Sequence, residues 1–335
     1  MKTTSFFLII GIASFGAFSA CSKSTSLSRK DIKLTFNDSA ARYVLEHPAN
    51  SKLKERDSIW NRFEGYRVTQ IWHKVSSVPM DWNYWEKRLN RLITKDFTSL
   101  KKSLELANNL KVLEEKEHVR IVRHISSYLP GKTGFEAHVF FVACTVPYAF
   151  CVDKNKIGID ISDNEWYYDP GYLLNVVIHE IYHVGYRLVS PDVKYKDADP
   201  VDRDSFIRFH YACMLSEGVA TFVGYKALSL FPAEHRSEDY KMLEDTMQVK
   251  QSLKQINNLL VRAETEPIDT LIQAAWDIGV EERAYYIAGA YMCQKIEEKH
   301  GTKHLASLIS RKSSQFIREY NRIVPLEYRI NLIEL

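Results

Sequence analysis

His179-Glu180-Ile181-Tyr182-His183 constrains this chain more than any other stretch. On a helix, residues four apart share a face, so both imidazoles can bind one metal ion. Glu180, beside the first His, can reach a water on that ion and act as general base. The surroundings read as a helix. Asp169 is a good N-cap and Pro170 a good first helical residue. Tyr172 to Ile178 is almost wholly apolar, Ile181 and Val184 continue the pattern, and Pro191 ends it. A helix this apolar is buried. Two His and a Glu in its middle are costly there unless something pairs them, and a metal ion does so. The plain alternative is accident, two of 11 His in 335 residues falling at this spacing on a surface or core helix.

A zinc hydrolase needs three protein ligands and one open position. A close third His, as in H-E-x-x-H-x-x-G-x-x-H, is excluded: Tyr186 stands at the Gly position and Val189 at the last His. The other solution is a Glu on a later helix. Glu217 is the only acid between Asp204 and Glu234, and it lies in the apolar run Tyr211 to Val223. A lone carboxylate in a buried helix needs a partner, and zinc is the favoured one. Gly218 and Ala220 let this helix approach the first closely. The alternatives are that Glu217 faces solvent or pairs with a Lys or Arg. His210, seven residues earlier on nearly the same face, is the rival ligand, or a second layer around the site, or a substrate contact.

The N-terminus reads as an export signal. Lys2 is followed by an apolar stretch from Phe6 to Phe18, too short for a membrane span of about 20 residues. Phe18-Ser19-Ala20-Cys21 resembles a bacterial lipoprotein signal, with Phe18 where Leu is usual, and marks Cys21 for lipidation. Cleavage as an ordinary secretory signal is the alternative. Residues 1–20 form the signal and 21–30 a polar tether. The expected home is the bacterial cell envelope, periplasmic or surface-facing. The remaining Cys144, Cys151, Cys213 and Cys293 read as buried small residues, with Cys213 and Cys293 the first pair to test for a disulfide. A net charge of +3, with 26% charged residues, starts no argument for nucleic acid.

Residues 31–130 read as helical, including Glu55 to Lys74, Tyr84 to Leu110 and Lys111 to Leu129, with His118 and His124 on the surface. Trp82 and Trp85 read as core. Gly131-Lys132-Thr133 lacks the upstream Gly and preceding strand of a phosphate loop. Residues 131–335 hold the site, packed with 31–130 as one body. Val139 to Thr145 is the strongest strand signal. Ala149 to Val152 and Ile157 to Ile161 flank the turn Asp153-Lys154-Asn155-Lys156, and the second of these strands alternates as if one face were covered. After the motif helix, which runs to about Val189, comes a polar loop over 190–204. Helices follow from Ser205 to Leu230, Ala233 to Ala263, Glu281 to His300, capped by Gly301, and Lys303 to Tyr320. The class is α+β, mainly α with a small sheet.

His179-Glu180-x-x-His183 together with Glu217-Gly218-Val219-Ala220-Thr221 resembles the gluzincin type of zinc peptidase. The whole chain, with its lipoprotein-like start, resembles uncharacterised bacterial zinc-dependent peptidases. The resemblance covers about residues 139–300. It implies a zincin-like region with an active-site helix, a glutamate helix and an edge strand beside the cleft that pairs with extended peptide. It implies Zn²⁺ on His179, His183 and Glu217, with Glu180 as base, acting on a peptide or protein. Such enzymes also use a Tyr or His at the oxyanion, which makes Tyr286 or Tyr285 the candidate; aromatic core is the plain alternative. Thr221 replaces the Asp some relatives place four residues after the ligand Glu, so the surroundings of the ligands differ. The rival from another class is a non-catalytic lipoprotein that binds a peptide or envelope partner on the same scaffold.

Overall fold

The computed structural model describes residues 31–47, 56–76, 82–95, 101–102, 105–106, 117–131, 133–145, 149–162, 169–197 and 200–333. The export signal, Cys21, the tether and Pro147 lie outside these residues.

A four-stranded sheet sits beside a large helical body. Strand β1 (Ile32–Asn37) is followed by helices α1 (Ser39–Glu46), α2 (Arg56–Arg62), α3 (Glu64–Ser76), α4 (Trp82–Lys95) and α5 (His118–Ser127). Then come β2 (Phe135–Val142), β3 (Ala149–Val152) and β4 (Lys156–Asp160). The order across the sheet is β1-β2-β4-β3. β1 runs parallel to β2, β2 parallel to β4, and β3 antiparallel to β4. The expected hairpin is therefore present, and β3 is its edge strand. The class is α+β, as the sequence indicates.

Three features of this region differ from expectation. Residues 32–37 form a strand and not a helix. Ile32 and Leu34 are buried while Lys33 and Thr35 are exposed, a period of two that six residues beside a helix barely display. Glu55 to Lys74 is broken into α2 and α3. β4 is covered on both faces, because α3 lies across the face where one open side was expected. Val68 and Trp72 of α3 meet Phe140, Phe150 and Val152, while Val139, Phe141, Ile157 and Ile159 join the main core with Ile178 and Ile181. Strands pairing in parallel are typically buried in this way.

The helical body starts with α6 (Pro170–Val189), which carries the motif. Its expected start is observed: Asp169 accepts from the Tyr172 N–H and Pro170 opens the helix. The polar loop after it contains a short helix, α7 (Val193–Lys196). Next is α8 (Arg203–Ala227), 25 residues long and begun by a capping box between Asp202 and Ser205. Helix α8 is buried nearly all round and forms the axis of the body. The expected helix over 233–263 is two, α9 (Glu238–Glu244) and α10 (Thr246–Arg262), because Asp245 ends one and caps the next. α11 (Ile268–Trp276) was not expected; a π turn, Asp277–Glu281, follows it. α12 (Ala284–His300), α13 (Thr302–Ile309) and α14 (Ser313–Ile323) follow, then a 3-10 turn over Leu326–Tyr328, with Gly301 capping α12 as expected. One core cluster draws on β1, the sheet and these helices together. No helix among the described residues is long and apolar enough to cross a membrane.

Candidate metal centre

Helix α6 sets His179, Glu180 and His183 in its middle, all buried. Helix α8 brings Glu217 against them. What positions Glu217 is the next residue. A Cβ on Gly218 would stand 2.2 Å from the Gly289 Cα of α12, so α8 and α12 touch backbone to backbone. Gly218 was expected to serve the approach to α6. Gly224 does that instead, next to the Asn175 carbonyl and the His179 Cβ.

Three donor atoms converge. His179 Nε2 and His183 Nε2 are 3.1 Å apart, and Glu217 Oε2 lies 3.4 Å from the second and 3.8 Å from the first. Donors held at zinc distances around a tetrahedral ion stand about 3.3 Å apart. Glu217 Oε2 is buried and has no hydrogen-bond partner. Two ring nitrogens and an orphaned carboxylate oxygen facing one point fit a zinc ion.

The electrostatics match that reading. Burial pushes His183 down to about 4, so its ring is neutral and its Nε2 can carry a lone pair toward the centre. Its Nδ1 lies 3.3 Å from Ser216 Oγ, a partner for the other ring N–H. Burial alone would raise the Glu217 carboxyl; Lys196 and then His183 outweigh it and hold it well below the usual carboxylate range. Lys196 Nζ donates to Glu217 Oε1 at 2.5 Å and to Ser216 Oγ at 3.0 Å. A pairing of Glu217 with a Lys was the alternative to metal ligation. The Lys pairing is present, and it leaves room for a metal, because Lys196 takes Oε1 and leaves Oε2 facing the histidines.

Glu180 Oε1 is buried without a hydrogen-bond partner, and burial pushes the carboxyl up to about 7. Tyr286 stacks on His179 with ring centroids 6.3 Å apart, and its buried hydroxyl has no partner either. Burial, reinforced by the charge of Glu217, holds the phenol well above its ordinary value, so it keeps its proton. Above Tyr286 sits Arg283, its guanidinium carbon 3.2 Å from the ring centroid. Arg283 has a left-handed φ of 66° and is clamped to Asp239 by two hydrogen bonds of 2.8 and 2.5 Å.

His210 and Tyr285 are not part of this cluster. They bond each other, His210 Nδ1 to the Tyr285 hydroxyl at 2.7 Å, and His210 stacks on Phe206. Of the two candidate tyrosines, Tyr286 faces the histidines. His124, read as a surface residue, is buried and donates from Nε2 to the Val223 carbonyl. All four described cysteines are free, so Cys213 and Cys293 form no disulfide here; Cys144, Cys213 and Cys293 are buried as expected and Cys151 is half-buried. Lys196, Ser216, Arg283 and Asp239 were not anticipated. Lys196 and Asp239 come from segments whose own patterning points nowhere. The only sequence sign for Ser216 was its place beside Glu217.

A buried His-His-Glu cluster with a free carboxylate beside it defines a class of metal-dependent proteins. Comparison with known families agrees. Residues 42–327 match the model of the family described as "Putative zinc dependent peptidase (DUF5700)", and the chain belongs to that family. No curated protein and no solved structure matches the chain.

Proposed function

We propose that the protein is a zinc peptidase whose metal is held by His179, His183 and Glu217. The convergence of those three donor atoms, with Glu217 Oε2 orphaned, carries the reading. A zinc ion bound there would polarise a carbonyl and acidify water. Glu180 Oε1 takes a proton from the attacking water and later gives it to the leaving amine. A carboxyl pushed up to about 7 suits both transfers near neutral pH. Tyr286, still protonated, donates to the oxygen that gains charge, and Arg283 with Asp239 holds its ring in place. Edge strand β3 packs against α6, with Ala149, Phe150 and Val152 buried.

Metal analysis of the purified protein and a peptide-library cleavage assay test this reading together. Glu180→Gln should keep its zinc and lose hydrolysis by about 10²–10⁴-fold. Tyr286→Phe should lower kcat by about 10²-fold. His183→Ala should lose metal from this site. Normal turnover by Glu180→Gln would sink the mechanism, and full zinc retention by His183→Ala would sink the ligand set.

A further inference from the structure

We propose a second metal-binding site, at His300, His304 and Glu319, on the far end of α12 from Tyr286. It does not depend on the reading of the first centre.

The site is made where three helices meet. His300 is the last residue of α12 and His304 lies in the first turn of α13. Between them Gly301 takes a φ of +81°, which turns the chain without a gap. The turn brings the two imidazole rings to a centroid distance of 4.8 Å. Glu319 of α14 completes the group. Its Oε1 lies 3.5 Å from His300 Nε2 and 3.6 Å from His304 Nε2. All three ligand atoms lie within 4.8 Å of one another.

These contacts do not account for themselves. His304 Nε2 is a buried atom with no hydrogen-bond partner, although it faces a carboxylate oxygen. At 3.6 Å the pair is too far apart for a good hydrogen bond. The spacing is close to the roughly 3.3 Å expected of donors around a tetrahedral ion. Glu319 also repeats the arrangement at Glu217. Arg322 Nη1 holds Glu319 Oε2 at 3.1 Å, and Oε1 is left to face the histidines. One oxygen is anchored by a cation and the other is presented.

The donor set selects the ion. Two imidazoles and one carboxylate suit zinc, nickel or copper and not calcium or magnesium, which take oxygen. The side chains of His300, His304 and Glu319 are 32%, 35% and 20% exposed. Water can therefore reach an ion there and fill its other positions. A bound ion would tie α14 to the end of α12, the helix whose other end carries Tyr286. Its effect is to stabilise, not to catalyse.

Zinc titration of the metal-stripped full-length protein, read by calorimetry and by thermal unfolding, tests the proposal. Two zinc ions should bind the unsubstituted chain and one should bind His183→Ala. That variant should still gain Tm on adding zinc. His304→Ala should bind one ion, keep its hydrolytic activity, and lose the second binding step. Glu319→Gln checks the same loss through a different ligand, with circular dichroism confirming the fold. One ion in the unsubstituted chain, lost in His304→Ala and kept in His183→Ala, would uphold this site while overturning the first. No binding by His183→Ala, or a second step unchanged in His304→Ala and Glu319→Gln, would overturn the proposal.

Discussion

Two of the three proposed ligands, Glu217 and His183, have one atom directed inward and another held from outside. Lys196 holds Glu217 Oε1 and Ser216 stands at His183 Nδ1. Partners of this kind orient the ligand and fix its tautomer. Ser216→Ala should weaken zinc binding about 10-fold, measured by competition with a chromogenic chelator. Unchanged affinity would show that Ser216 does not orient the ring. His210 lies apart, packed against Phe206 and Tyr285. Burial pushes it from the ordinary 6.5 down to about 3. The unfolded chain then binds its proton first. Stability is present above pH 6.5 and is lost as pH falls from there toward 3. His210→Gln keeps a polar group for Tyr285 and removes the titration. Its urea midpoint should fall less steeply over that range than that of the unsubstituted chain. Equal slopes would rule out His210 as a source of the acid sensitivity.

Among the elements, the contact between α8 and α12 sets how Glu217 and Tyr286 stand to each other, while Gly224 brings α8 up to the histidines. Gly218 meets Gly289 at backbone range. Gly218→Ala must push the helices apart and should destabilise by about 1–3 kcal/mol, read from urea unfolding. It should also weaken zinc binding, since the carboxylate moves with α8. A variant with unchanged stability would show that the contact can relax. The elements differ in how much of themselves they show in sequence. α6 was legible to its ends, because its cap, its Pro and its apolar run all agree. β1 was not, because the partner that makes it a strand is β2, about a hundred residues away. The join between α9 and α10 was also missed. Asp245 breaks a helical pattern that otherwise runs on.

The molecule as a whole presents a helical body and a sheet sharing one core. The N-terminal signal pattern supports the further proposal that this body is held at a cell envelope by lipid on Cys21. Cys21→Ser should move the protein from the membrane fraction to the soluble one when cells are fractionated. Retention in the membrane fraction would count against that anchor.

The sequence by itself determined the helix that carries His179, Glu180 and His183 and the α+β class, and it offered those three residues as the proposed metal pair and base. These rest on local spacing, capping and period, which a few neighbouring residues encode. It also offered Glu217 as the third ligand, on the strength of one acid in an apolar helix. Tertiary structure decided the rest. It placed Tyr286 and not Tyr285 at the centre, removed His210 from it, and brought in Lys196, Ser216 and Arg283. Those outcomes depend on which helix faces touch, and Gly218 against Gly289 is one such contact, across 71 residues of chain by their numbering. A contact between distant segments is a property of packing, and no local pattern records it.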